Sequence, residues 1–152
     1  MSLFIFGKKK KSSPKALVRR FTKSDVSEVK KLLGQLTGRQ KPAEIAFLVS
    51  DKRTICAVAE LQREIIGFGC LSIYHTPTMG KAGRIEDLIV DEKKRGLGYG
   101  RQLMEELLEI ARQEGIRNIS LTSNPLRKAA RSLYRKLGFQ KIRTDTFVLR
   151  LK

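Results

Sequence analysis

The chain has few acids, few metal ligands and no long apolar run, and each shortage removes a class of protein. Its 152 residues contain two cysteines and one histidine. Cys56, Cys70 and His75 are isolated from one another and make no zinc-ligand spacing, so no metal site is expected. Both cysteines lie in apolar, strand-like runs, where an unpaired thiol behaves as a small hydrophobe. They are expected to be buried, free and unactivated. No apolar stretch approaches the roughly 20 residues that cross a bilayer, so no membrane partner is expected. Leu3-Phe4-Ile5-Phe6 is shorter than a secretory signal's apolar region and precedes the lysines instead of following them, which points to the cytoplasm.

What is present fits one α/β domain: apolar residues make up 41% of the chain and charged residues 31%, and the length allows one real core. The most informative stretch is Val90–Arg101, reading Val-Asp-Glu-Lys-Lys-Arg-Gly-Leu-Gly-Tyr-Gly-Arg. On its left, Ile85-Glu86-Asp87-Leu88-Ile89-Val90 has the β-branched density of a buried strand. On its right, Leu103, Met104, Leu107, Leu108 and Ala111 recur at helical spacing. Gly96, Gly98 and Gly100 therefore fall at a strand-to-helix junction, where bare backbone N–H groups and the helix dipole favour an anion, flanked by Arg95 and Arg101. A Walker-A loop would need Lys-Ser/Thr after its last glycine, and Arg101-Gln102 stands there. The dinucleotide fingerprint needs Gly-x-Gly-x-x-Gly, and this chain runs Gly-x-Gly-x-Gly.

Taken in order, residues 1–15 combine a short apolar start with Lys8–Lys11 and Lys15 and read as a flexible basic tail. Residues 16–152 read as the folded domain. Ala16–Phe21 is a first strand, and Thr22-x-x-Asp25 resembles a capping box for a helix carrying Val26, Val29, Leu32, Leu33 and Leu36 and stopped by Gly38. A shorter helix is expected over Pro42–Val49, then a hairpin of Thr54–Leu61 with Ile65–Tyr74, and a loop over Thr76–Gly83. The helix after the glycines is closed by Gly115. Asn118–Thr122 follows as a strand parallel to the one carrying Glu86, and Asn124-Pro125 opens a helix with Ala130, Leu133, Tyr134 and Leu137 on one face. Two last strands are expected at Gln140–Arg143 and Thr146–Leu151.

Arg95-x-x-Gly98-x-Gly100 resembles the Arg/Gln-x-x-Gly-x-Gly/Ala signature of the GCN5-related N-acetyltransferase (GNAT) superfamily. Leu133-Tyr134-Arg135-Lys136-Leu137-Gly138-Phe139 is similar to that family's C-terminal Leu-Tyr-x-x-Leu-Gly-Phe, and Ile85–Val90 resembles its fourth strand. The resemblance spans about Ala16 to Lys152. It implies an α/β fold with a mixed sheet of about six to seven strands and about four flanking helices, and an acetyl-CoA-dependent N-acetyltransferase. Two departures concern the pantetheine side of the cofactor: Glu92 stands where many relatives have proline, and Arg127 where many have asparagine.

The resemblance also implies roles. Backbone N–H groups of Leu88, Ile89 and Val90 would bind the thioester arm of acetyl-CoA, and Arg95, Gly96, Leu97, Gly98, Tyr99, Gly100 and Arg101 its pyrophosphate. Glu86 would accept the proton of a primary amine, directly or through water, with Asp87 turned to the opposite face by strand alternation. Tyr134 would return a proton to the departing sulfur. The amine attacks directly in a ternary complex, since neither cysteine is activated as a nucleophile. The acceptor is left open between small-molecule and protein or peptide amines, and the state between monomer and homodimer. From another class, a non-catalytic acyl-CoA-binding or RNA-binding module on the same fold is the alternative. The formal charge is +17, from 32 Lys plus Arg against 15 Asp plus Glu, and setting aside the five tail lysines still leaves +12. Arg127, Lys128, Arg131, Arg135, Lys136, Lys141, Arg143 and Arg150 crowd the last third. They form either an ordinary solvated face or a surface for weak association with nucleic acid or another polyanion.

Overall fold

In a computed structural model of the chain, residues 13–38 and 43–151 are described. Two compact units divide after Leu121, and each is treated by itself. The first unit is built on a five-stranded sheet: β1 (Leu17–Arg20), β2 (Thr54–Leu61), β3 (Glu64–Thr76), β4 (Gly80–Val90) and β5 (Asn118–Ser120), in the order β1-β2-β3-β4-β5. The first three pairings are antiparallel and the last is parallel. Parallel pairing requires a crossover, which α2 (Tyr99–Gln113) supplies between β4 and β5.

The helices cover opposite faces of the sheet. On one, α1 (Val26–Thr37) places Val29, Leu32 and Leu33 against Phe21, Cys56, Val58, Phe68, Cys70 and Ile89. On the other, α2 buries Leu103, Met104 and Leu107. It lies close: a Cβ on Gly69 would stand 3.1 Å from Leu107 Cδ1 and 2.9 Å from Leu88 Cδ1. α1 ends as its sequence indicates, with Gly38 left-handed at φ 66°. Its start is held more strongly than a capping box requires. The Asp25 carboxylate accepts the Thr22 N–H and hydroxyl, each at 2.8 Å, and also faces the Arg19 guanidinium at 2.8 and 2.9 Å. Arg19 in turn reaches Glu60 on β2 at 2.8 Å, so one arginine ties β1, β2 and the head of α1 together.

Several expectations are corrected. Among the described residues the sheet has five strands and there are three α-helices, not six to seven strands and four helices. The stretch expected as a helix near Pro42–Val49 is a single 3-10 turn, Ala46–Val49; only Ile45 of its apolar residues is fully buried, while Val49 is exposed. The turn's residues Ala46-Phe47-Leu48-Val49 are apolar but none of them is fully buried, and a segment this short gains too little from packing to repay helix nucleation. The expected loop over Thr76–Gly83 is a tight hairpin, because β3 runs to Thr76 and β4 begins at Gly80 with φ 66°. The β2–β3 turn is Gln62-Arg63, both with positive φ, as a two-residue hairpin of matching twist demands. Cys56 and Cys70 are not free thiols: they stand directly opposite across β2 and β3, Cα atoms 4.2 Å apart, and are joined as a disulfide. Each cysteine alone reads as a small hydrophobe, and only the strand register shows that they face each other. The expected basic tail falls largely outside the described residues.

The second unit holds α3 (Lys128–Lys136), which starts later than Asn124-Pro125 suggests. Asn124 instead closes a turn, its side chain accepting the Leu126 N–H at 2.9 Å and its carbonyl the Arg127 N–H at 3.0 Å. No strand forms over Gln140–Arg143 or Thr146–Leu151, where Phe147, Val148, Leu149 and Leu151 are exposed.

The Asp25 network has a consequence for stability. Its hydrogen bonds to Arg19, outweighing burial, hold the Asp25 carboxyl down from 3.8 to about 2. A depressed carboxyl stabilises the fold above its unfolded pKa and loses that contribution as pH falls through the folded one. The shift corresponds to about 2 kcal/mol at neutral pH. Urea unfolding of Asp25→Asn should show a loss of about that size at pH 7 that shrinks as pH is lowered toward 2. A loss that is constant across this range would remove the network from the account.

Candidate active site

The site begins with an irregularity in β4. Phe68 pairs with Ile89 and Cys70 with Glu86, so Gly69 alone stands opposite both Asp87 and Leu88. This is a β-bulge, and Asp87 takes φ 51° to make it. The extra residue breaks the alternation on which the sequence reading of Asp87 rested: Asp87 is exposed, whereas Leu88 and Ile89 in succession are both buried. The bulge coincides with a second feature. β5 pairs only Ala82, Gly83 and Arg84 of β4, and Ile85–Val90 runs on past the end of β5. Two strands that part in this way open a gap beside the longer one.

After Val90 the chain is clamped before it turns. The Asp91 N–H donates to the Ile66 carbonyl at 2.8 Å, and the Asp91 carboxylate accepts the Lys93 N–H at 2.9 Å. From α1, Gln35 donates its amide to Asp91 at 3.0 Å and accepts the Glu92 N–H at 3.1 Å. The Gln35 hydrogen bond is the main reason that the Asp91 carboxyl is held below its ordinary range. A proline in place of Glu92 could not make the N–H bond, so this departure from the family pattern is accommodated by Gln35. Nothing in the sequence pattern singled out Gln35, which reads only as a polar residue on a helix surface.

The glycine turn follows. Arg95 donates from Nε to the Val90 carbonyl at 3.0 Å, folding the loop back on the end of β4. Gly96 has φ 76° and Gly98 φ 91°, and a Cβ on either would meet nothing within 4 Å. The backbone conformation, not crowding, demands glycine at both, and the space on that side is open. Gly98 is the N-cap of α2, and its carbonyl accepts the Arg101 and Gln102 N–H groups at 3.1 Å. By helix geometry the Tyr99 and Gly100 N–H groups have no acceptor within the helix and point outward from its positive end. An open cradle of backbone donors fits a pyrophosphate.

The side chains of this stretch divide in their use. Tyr99 is 1% exposed and packs with Ala16, Ala59 and Ile66, so it contributes backbone to the cradle and its ring to the core. Leu97 is exposed. Arg101 is paired with Glu105 at 2.7 Å one turn along. Gly100 is the second residue of α2.

Glu86 lies half-buried on β4, in register with Cys70 and hence on the α1 face of the sheet. Its carboxylate is ion-paired with Arg84 Nε at 2.6 Å, a partner that sequence reasoning passed over. The structure thus gathers Glu86, Leu88–Val90 and Arg95–Arg101 along one strand and the turn that ends it. Tyr134 belongs to the second unit, on α3. It is buried, its ring meets Phe139 edge-on at 6.0 Å, and burial pushes its phenol up against the opposing influence of Arg127. His75 is exposed. Among the described residues no cluster of three or more His, Cys, Asp or Glu could hold a metal, and no helix is long and apolar enough to cross a membrane.

A mixed sheet whose fourth strand outruns its parallel neighbour is followed here by a glycine turn at a helix N-terminus, an arrangement suited to a phosphorylated ligand. The model of the Acetyltransferase (GNAT) family matches residues 25–139, and the chain belongs to that family. It is 32% identical over 132 residues to a glucosamine 6-phosphate N-acetyltransferase of Trypanosoma brucei brucei, covering 81% of this chain and 88% of that one. A crystal structure of a Trypanosoma brucei acetyltransferase superposes with a TM-score of 0.74 at 29% identity, over 90% of this chain and 99% of that one. N-acetyltransferase 8 of Rattus norvegicus is 32% identical over 94 residues, which span 61% of this chain and 42% of the rat protein.

The cradle geometry makes a direct forecast. Gly98→Val forces a branched side chain into φ 91°, a strain of about 1–3 kcal/mol that the loop relieves by leaving its conformation. Acetyl-CoA binding, measured by calorimetry, should weaken tenfold or more. Binding as tight as the parent's would place the pyrophosphate elsewhere.

Proposed function

We propose that the protein transfers an acetyl group from acetyl-CoA to a primary amine by direct attack, with Glu86 as the proton acceptor and Tyr134 as the proton donor. The observation that carries this is Glu86 on β4, immediately before the bulge and the backbone segment that outruns β5. Bound acetyl-CoA supplies the activated acyl group and its thiolate leaving group. Backbone N–H groups of Leu88–Val90 would hold the thioester arm, and those around Gly96–Arg101 the pyrophosphate. An amine arrives as an ammonium and must lose a proton to attack, which the Glu86 carboxylate accepts directly or through water. The raised phenol of Tyr134 is protonated at neutral pH and so has a proton to give. Cys56 and Cys70 are joined and buried, which supports a path without an acyl-cysteine.

Thiol release from acetyl-CoA against a panel of amines tests the reading, since a non-catalytic binder would protect the cofactor and release no thiol. Tyr134→Phe should lower kcat by about 100-fold or more with acetyl-CoA affinity nearly unchanged. Because burial raises the phenol, the basic limb of kcat that it governs should lie above about pH 10, with activity kept below that limb and lost above it. A Tyr134→Phe enzyme with parental kcat would remove the phenol from the chemistry.

The second unit favours a separate property. Arg127, Lys128, Arg135 and Lys136 are exposed on or beside α3, and Asp145 is the one acid among residues 122–152. We infer weak, sequence-independent association with RNA. Fluorescence polarisation with total RNA should show binding at low salt that falls about tenfold or more on raising salt from 50 to 200 mM. No binding at low salt would leave the charge as a solubility feature.

A further inference from the structure

The exit of β4 toward the glycine turn is held from another element by Gln35 of α1. Up to Asp91 the backbone is fixed by the sheet itself: Val90 pairs with Gly67, and the Asp91 N–H donates to the Ile66 carbonyl at 2.8 Å. Beyond it the chain leaves the sheet in a 3-10 turn, Glu92–Lys94, which Asp91 opens by accepting the Lys93 N–H on Oδ1 at 2.9 Å. The Glu92 N–H, among the first donors of that turn, finds no acceptor inside it. Gln35 supplies one, its Oε1 standing 3.1 Å away, while its Nε2 donates to the other Asp91 oxygen, Oδ2, at 3.0 Å.

This double contact specifies the residue type. A primary amide donates and accepts at once; a glutamate would lack the donor and set a second negative charge against Asp91, and a lysine would lack the acceptor. The root of the side chain is held as well. Val29, Leu32 and Leu33 anchor α1 on the sheet, and Glu28, two helical turns before Gln35 and so on the same side of the helix, accepts the Ile65 N–H at 3.0 Å. α1 is thereby tied both to the start of β3 and to the exit of β4. The turn that begins at Glu92 runs into Arg95 and the left-handed Gly96 and Gly98, so its direction decides where the donors of the cradle point. We propose that Gln35 is a positioning residue for acetyl-CoA: it fixes the first residue of the turn and so aims the Gly96–Arg101 backbone at the pyrophosphate, without itself touching the cofactor. This rests on the cradle reading and adds to it a residue of α1.

Calorimetry with acetyl-CoA on the full chain tests it. Gln35→Ala should weaken binding about tenfold, the worth of one hydrogen bond to a charged group, and Gln35→Glu at least as much. Rescue separates positioning from a merely structural role. Proline at position 92 has no N–H to satisfy and holds φ at about −65°, which suits the first residue of a 3-10 turn, and the ψ of 133° at Asp91 suits a residue before proline. Gln35→Ala/Glu92→Pro should therefore recover most of the lost affinity. Urea unfolding without ligand monitors the fold. Should Gln35→Ala fold poorly, Gln35→Lys, which keeps a donor toward Asp91 and loses the acceptor for Glu92, takes its place, with a loss and a rescue of the same kind expected. Binding by the variant within about twofold of the parent, or a loss that Glu92→Pro does not recover, would overturn the inference and leave the cradle standing. A parent protein that does not bind acetyl-CoA would overturn the cradle reading and this inference with it.

Discussion

Everything in this site depends on the backbone of β4 being paired with β3 from Gly80 to Val90, interrupted only at the bulge, and with β5 only as far as Arg84. A strand edge exposes N–H and C=O groups that must be satisfied by something, and an edge inside a folded domain is a poor place to leave them to chance. Here the bulge at Asp87 and the short β5 coincide, so the parting of the strands falls where Glu86 and Leu88–Val90 lie. The core cooperates. Ile89 packs with Phe68 on the α1 face, and Leu88 lies against Gly69 on the α2 face, so the segment that offers its backbone is held by its side chains.

The second constraint is the return of the chain. From Val90 the backbone must reverse into α2 within a few residues, and it does so by pinning Asp91 to Ile66 and Gln35, folding Arg95 onto the Val90 carbonyl and then using two left-handed glycines. The first two steps occupy the Asp91 N–H and the Arg95 Nε–H, while the first N–H groups of α2 remain outside the helix ladder. The polar face of the sheet completes the arrangement, because Arg84 and Glu86 are neutralised by each other yet stay half-buried.

Local signals made much of this legible. The ends of α1 and α2 follow from Gly38 and Gly115, the hairpin from two β-rich runs, and the parallel β5 from the helical crossover before it. The glycine turn was readable because φ near 90° leaves one residue type. What the sequence hid depended on register. The Cys56–Cys70 pair and the bulge at Asp87 exist only once strands are aligned, and a residue's own neighbours in sequence say nothing of its neighbour across the sheet. Gln35 was hidden for a like reason, its partners being Asp91 and Glu92. The last strands were expected from β-rich composition alone, and composition does not supply a partner to pair with.

Amide hydrogen exchange with and without acetyl-CoA tests the central claim most directly, since the claim concerns backbone donors. The N–H groups of Leu88–Val90 and of Gly96–Arg101 should gain protection on addition of acetyl-CoA, with the β1–β2 pairing unchanged. Protection confined to other segments, with these amides exchanging as in the free protein, would contradict the account.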